Sequence, residues 1–118
     1  MNLPHRKPLI FAKEVLLKKN DTVQVRCEFP MIPTLAMFIE AAAQSSVAFN
    51  SNSHSKAKIG FLTIANDVEL LQKIKNLHFL FHLKKEVEVG SYIKFSFEVY
   101  DDKKIKIASG KFTLLIQE

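Results

Sequence analysis

Residues 35–49, LAMFIEAAAQSSVAF, run for fifteen positions without glycine or proline, and this run constrains the possible folds more than any other part of the chain. Thr34 stands where an N-cap belongs, and Pro30 and Pro33 keep the preceding backbone extended. A helix of this length spans about 22 Å. Its surface is apolar nearly all round, with small residues (Ala41, Ala42, Ala43, Ser45, Ser46, Ala48) along its second half. A helix without a polar face belongs inside a protein, and small side chains allow a sheet or another helix to come close. Only Glu40 and Gln44 interrupt the apolar surface, and a separation of four puts them on one face.

The rest of the chain reads as strand. Val23, Val25, Cys27 and Phe29 alternate with Gln24, Arg26 and Glu28, and the Lys18–Asp21 stretch before them is a turn. After a polar loop at residues 50–58 the chain is β-rich to residue 116. Phe79 and Phe81 alternate with His78, Leu80 and His82. Ile93, Phe95, Phe97 and Val99 alternate with Lys94, Ser96 and Glu98. Residues 70–74 read as a further strand. Near Ser109 and Gly110 the apolar positions change parity, which predicts a β-bulge. One buried helix and a run of antiparallel strands define an α+β chain, with about five to six strands curled round the helix. At 118 residues this is one domain, residues 1–118, with one core.

Composition narrows the function. The net charge of +5 comes from scattered pairs such as Lys84-Lys85 and Lys103-Lys104, without a basic helix or an aromatic-basic motif, so nucleic acid is not expected as partner. A modest positive charge suits an acidic protein partner. Cys27, the single cysteine, rules out an internal disulfide and reads as a buried, inert thiol. His78 and His82 lie about 13 Å apart on a strand, too far to share one ion, so no metal is expected. No stretch is apolar enough for a membrane span, and the apolar run at residues 9–12 is too short for a signal peptide. The default expectation is a cytoplasmic protein.

Two segments carry a family resemblance. Leu3-Pro4-His5-Arg6-Lys7-Pro8-Leu9-Ile10 resembles the opening of the hotdog-fold β-hydroxyacyl-acyl-carrier-protein dehydratases. Phe29-Pro30 followed by Glu40-Ala41-Ala42-Ala43-Gln44 resembles their Phe-Pro turn and the helix after it. The shorter spacing from Phe29-Pro30 to Glu40, with Ile59-Gly60-Phe61-Leu62 after the loop, is similar to that of the dehydratase-like proteins of aryl-polyene-type pathways. The family's histidine before Phe-Pro is replaced here by Glu28.

The resemblance implies a hotdog fold, a homodimer or an oligomer of dimers, and an acyl thioester substrate carried on acyl carrier protein or CoA, with no cofactor. Dehydration of a 3-hydroxyacyl thioester needs a base at C2, an acid for the hydroxyl leaving C3, and a donor for the thioester carbonyl. Glu40 is the expected acid–base residue, because a carboxylate on an apolar helix is costly unless paired, hydrated or functional. Glu28, at the histidine's position, is a second candidate, although it shares a strand face with Gln24 and Arg26. Gln44 is expected either to orient Glu40 or the hydroxyl, or to be a satisfied core amide. The N–H groups of Leu35 and Ala36, next to the Thr34 cap, are the expected carbonyl site. His5 reads as structural. The alternatives are a hotdog thioesterase in which Glu40 activates water, and a non-catalytic acyl-binding or assembly subunit.

Overall fold

The computed structural model describes residues 11–50 and 59–117; His5, with the Leu-Pro-His-Arg stretch, and loop residues 51–58 lie outside them. Six strands form one antiparallel sheet: β1 (Ala12–Lys18), β2 (Thr22–Glu28), β3 (Ile59–Leu70), β4 (His78–Val89), β5 (Tyr92–Tyr100) and β6 (Lys106–Gln117). Their order is β1-β2-β4-β5-β6-β3, so β1 and β3 are the two edges. The helix α1 (Leu35–Ser45) crosses one face of this sheet.

The period-2 pattern explains the layers. Val23, Val25 and Cys27 on β2, Phe79, Phe81 and Leu83 on β4, and Phe95, Phe97 and Val99 on β5 all turn to the helix and are buried. Register carries the core across the strands: Val25 pairs with Phe81, Phe81 with Val99, and Val99 with Ala108. Phe38 is the helix's main anchor. Its ring lies 5.0 Å from Phe79, 5.6 Å from Phe81 and 5.7 Å from Phe29, each edge to face. Burying a side chain of this size contributes about 2–3 kcal/mol.

Four expectations are corrected in detail. The helix is α-helical only to Ser45, and residues Ser46–Asn50 continue as a 3-10 turn. The cause is local: Ser45 Oγ donates to the Ala41 carbonyl at 2.8 Å and Ser46 Oγ to the Ala43 carbonyl at 2.6 Å, which competes with regular helix bonding. Nor is the helix buried all round, because the sheet covers only one side. Phe38, Ala41, Ala42 and Ser45 are buried, whereas Ala36, Glu40 and Val47 face outward.

β3 stops at Leu70, so no strand occupies residues 71–74. Leu71 and Gln72 instead donate backbone N–H bonds to the Ile107 carbonyl, at 2.8 and 3.2 Å. The parity change in β6 exists, but it sits at Ile107. Val99 pairs with Ala108 and Tyr100 with Lys106, which leaves Ile107 as the extra residue, and both Ile107 and Ala108 are buried. Gly110 has a separate task. A Cβ there would stand 2.9 Å from two carbons of the Phe97 ring and 3.0 Å from Val68 Cγ2. Opposite it, β3 bulges between Asn66 and Glu69, with Asp67 at φ 54.

Candidate functional site

The site is built on the outward stripe of α1. Thr34 caps the helix as the sequence predicts: its Oγ1 accepts the Met37 N–H at 3.2 Å, and its carbonyl accepts the Phe38 N–H at 3.1 Å. Helix geometry leaves the N–H groups of Leu35 and Ala36 without an acceptor inside the helix. Glu40 follows Ala36 by one turn on the same exposed stripe. One helical turn separates the Glu40 backbone from that of Ala36.

Gln44 holds the arrangement in place. Its Nε2 donates to Glu40 Oε2 at 3.4 Å, while its Oε1 accepts the Phe11 N–H at 2.7 Å and the Ala12 N–H at 3.3 Å. The same carboxamide thus ties the start of β1 to the helix and steadies the carboxylate. Thr34, Leu35, Ala36, Glu40 and Gln44 are therefore brought together on one element. In the single chain the stripe is open to solvent on its outer side.

Glu28 is not part of this cluster. The residues of β2 that face the helix are Val23, Val25 and Cys27, so Glu28 points from the opposite side of the sheet. There Arg26 Nη1 binds its Oε2, and Arg26 Nε binds Glu14 at 3.1 Å. The hydrogen bond from Arg26 holds the Glu28 carboxyl below the usual carboxylate range, with a smaller contribution from the charge of Arg26. His78 Nδ1 lies 3.9 Å from the same carboxylate.

The remaining candidates have plain environments. Cys27 Sγ is 3.6 Å from Ser45 Oγ, and burial pushes the thiol up to about 12, which leaves it unreactive near neutrality. Among the described residues no three His, Cys, Asp or Glu side chains are grouped to hold a metal ion. No helix among the described residues is long and apolar enough to cross a membrane.

Sequence reasoning missed an ionic cluster on the outer face of the sheet. Lys106 Nζ binds Glu98 Oε2 at 2.8 Å, and the Tyr100 hydroxyl donates to Glu98 Oε1 at 2.8 Å. Only the outward parity of Glu98 and Tyr100 hinted at it. Glu98 and Ser96 also border a groove of about 440 Å³ on that face. A second groove, of about 320 Å³, lies at the end of the sheet between residues 72–76 and 101–105.

A curled six-stranded antiparallel sheet with a single helix on its inner face defines the hotdog fold, and that is the class of this chain. Solved structures share it at low sequence identity. The dehydratase heterocomplex ApeI:P from Xenorhabdus doucetiae is similar with 13% identity and a TM-score of 0.79, over 98% of this chain and 88% of that one. Smu.793 from Streptococcus mutans, solved with acetyl CoA bound, matches at 13% identity and a TM-score of 0.70, over 98% and 97% of the two chains. A thioesterase from Haemophilus influenzae matches at 9% identity and a TM-score of 0.69, over 89% and 78%. No family model and no curated protein matches the sequence.

Proposed function

We propose that this chain acts on acyl thioesters as a 3-hydroxyacyl-thioester dehydratase of the cytoplasm, with Glu40 as the group that moves the proton. The observation carrying the proposal is the spacing on α1: two N–H donors at the helix start, then a carboxylate one turn below, steadied by Gln44. The thioester carbonyl oxygen accepts from the N–H groups of Leu35 and Ala36, which stabilises the negative charge that develops there when C2 loses its proton. The Glu40 carboxylate takes that C2 proton. The C2–H electron pair becomes the C2=C3 double bond, the C3–O bond breaks, and the departing hydroxide takes the proton back from Glu40 and leaves as water. One carboxylate can carry out both transfers when the leaving groups lie on the same side of the C2–C3 bond. The exchange of the family's histidine for Glu28 is therefore compatible with the chemistry, and Glu28 keeps its ion pair with Arg26.

Such a site requires cover, because water around Glu40 would weaken every one of these interactions. A second copy supplies it. β3 is an edge strand with one side open, and pairing Ile59–Leu70 across a two-fold satisfies that edge and walls the outward stripe of α1.

Hydrolysis is the second possibility, favoured by the same economy of parts: one carboxylate to activate water and two donors for the oxyanion are a sufficient set. Two assays on one preparation separate them. Incubation with 3-hydroxyacyl-CoA of several chain lengths, followed by 2-enoyl absorbance, detects dehydration, and a thiol reagent detects CoA release. Dehydration predicts enoyl formation without thiol release. Thiol release alone replaces the dehydratase by a thioesterase, and neither signal removes both.

A further inference from the structure

Between Leu35 and Phe49 one large apolar side chain is left outside. Val47 is 63% exposed, whereas Leu35, Met37, Phe38, Ile39 and Phe49 are buried or half-buried. A single exposed valine is ordinary on a protein surface; its place in the chain is what matters here. Ala36, Glu40, Ala43 and Val47 follow one another at helical intervals of four, three and four, so they form one stripe. Ala36 and Glu40 on that stripe are exposed, and Ala43 is half-buried.

The turn that carries Val47 is anchored on both sides. Ser46 and Ala48 are buried, which leaves Val47 only the outward direction. Ser46 Oγ is bonded to the Ala43 carbonyl, Ser45 Oγ lies against Cys27 Sγ, and the Phe49 ring packs 5.4 Å from Phe95. A side chain on such a turn keeps its position, as a stop for a ligand must.

In the site proposed above, the thioester carbonyl lies at the helix start and C2 and C3 lie at Glu40. The acyl chain beyond C3 therefore continues along the stripe, away from the helix N-terminus. Gln44 closes the β1 side of that path, because its carboxamide reaches from Glu40 to the backbone of Phe11 and Ala12. Ala43 presents only a methyl group, so a chain can lie against the helix there. Val47 is the next large side chain on the stripe. It stands about 11 Å beyond Glu40 along the axis, the length of about nine extended methylenes. We infer that Val47 is the end stop of the acyl site and limits the chain to about twelve carbons, counted from the thioester carbon. This role rests on the thioester chemistry assigned to Glu40.

The test compares wild type, Val47→Ala, Val47→Phe and Val89→Phe, the last changing a similarly exposed valine at the end of β4. Each protein is given 3-hydroxyacyl-CoA substrates from C4 to C16, and kcat/KM is plotted against chain length. S-alkyl-CoA thioethers of the same lengths, which can be neither dehydrated nor hydrolysed, give the binding preference by calorimetry. Wild type should decline beyond about twelve carbons. Val47→Ala should raise the C16-to-C8 ratio by about ten-fold or more, and Val47→Phe should lower the C12-to-C8 ratio by as much, the usual worth of a methylene gained or lost in an apolar pocket. Val89→Phe should keep the wild-type profile. One profile shared by all four proteins, an equal shift in the Val89 control, or a wild type without decline up to C16 overturns the end stop. A length preference in thioether binding that follows Val47, without turnover of any thioester, removes the enzymatic function and leaves the end stop standing. Absence of both turnover and thioether binding overturns the two together.

Discussion

Replacing Gln44 by Leu should damage stability and activity together, and the structure gives the size of each. The buried Phe11 contributes a backbone N–H whose acceptor, Gln44 Oε1, is 2.7 Å away; the Ala12 N–H adds a weaker contact at 3.3 Å. Leucine keeps most of the volume but accepts nothing, so one N–H is left without its partner. A buried donor in that state costs about 1–3 kcal/mol. The strand end is half open to water, which places the expected loss near 2 kcal/mol, or roughly 8 °C in Tm for a domain of this size. Turnover should fall further than stability explains, because Gln44 Nε2 also steadies Glu40. Glu40→Gln is the control, since Glu40 is exposed and its bond to Gln44 is long, so its Tm should stay within about 2 °C of the wild type. Differential scanning fluorimetry and the enoyl assay on the two variants decide the matter. A Gln44→Leu protein with unchanged Tm would show that the helix and β1 are not joined through this carboxamide.

Two further predictions concern the sheet. Gly110→Ala should lower stability by about 1–3 kcal/mol in urea titrations, because the new methyl group meets the Phe97 ring and Val68 at or below 3.0 Å; no loss would mean that Phe97 is free to move aside. Glu98 is held below its ordinary value of 4.5, first by the hydrogen bond from Lys106 and then by the one from Tyr100. A depressed carboxylate contributes stability above its unfolded value, and that contribution disappears as pH falls through the folded value. Glu98→Gln should therefore flatten the acid side of the stability profile below about pH 4.5, and parallel profiles for the two proteins would refute this coupling.

What could be read from the sequence was local. Alternation in β2 and β5 named the inward residues correctly, and Thr34 marked the helix start, because both signals lie within a few residues of their effect. The helix end was harder to place: Ser45 and Ser46 look like ordinary small residues until their hydroxyls are seen bonding back to the helix carbonyls. Gly110 drew attention to a bulge in β6, yet the extra residue is Ile107, and the glycine is needed for a ring on the neighbouring strand. Non-local contacts left the least trace. Gln44 meets Phe11 across 33 positions, and Lys73 and Lys103 share a groove only after β4 and β5 have been paired. Glu28 stood at a position suggestive of catalysis, but strand parity with Arg26 was the better guide to its place.

The most direct measurement is the rate at which purified protein converts 3-hydroxyacyl thioesters to 2-enoyl thioesters, with and without the Glu40 carboxylate. Wild type should turn over at least one chain length, and Glu40→Gln, folded and equally stable, should be slower by about 10²–10⁴-fold, the usual worth of a positioned acid–base group. Equal rates for the two proteins, on any chain length that reacts, would contradict the assignment of the proton transfer to α1.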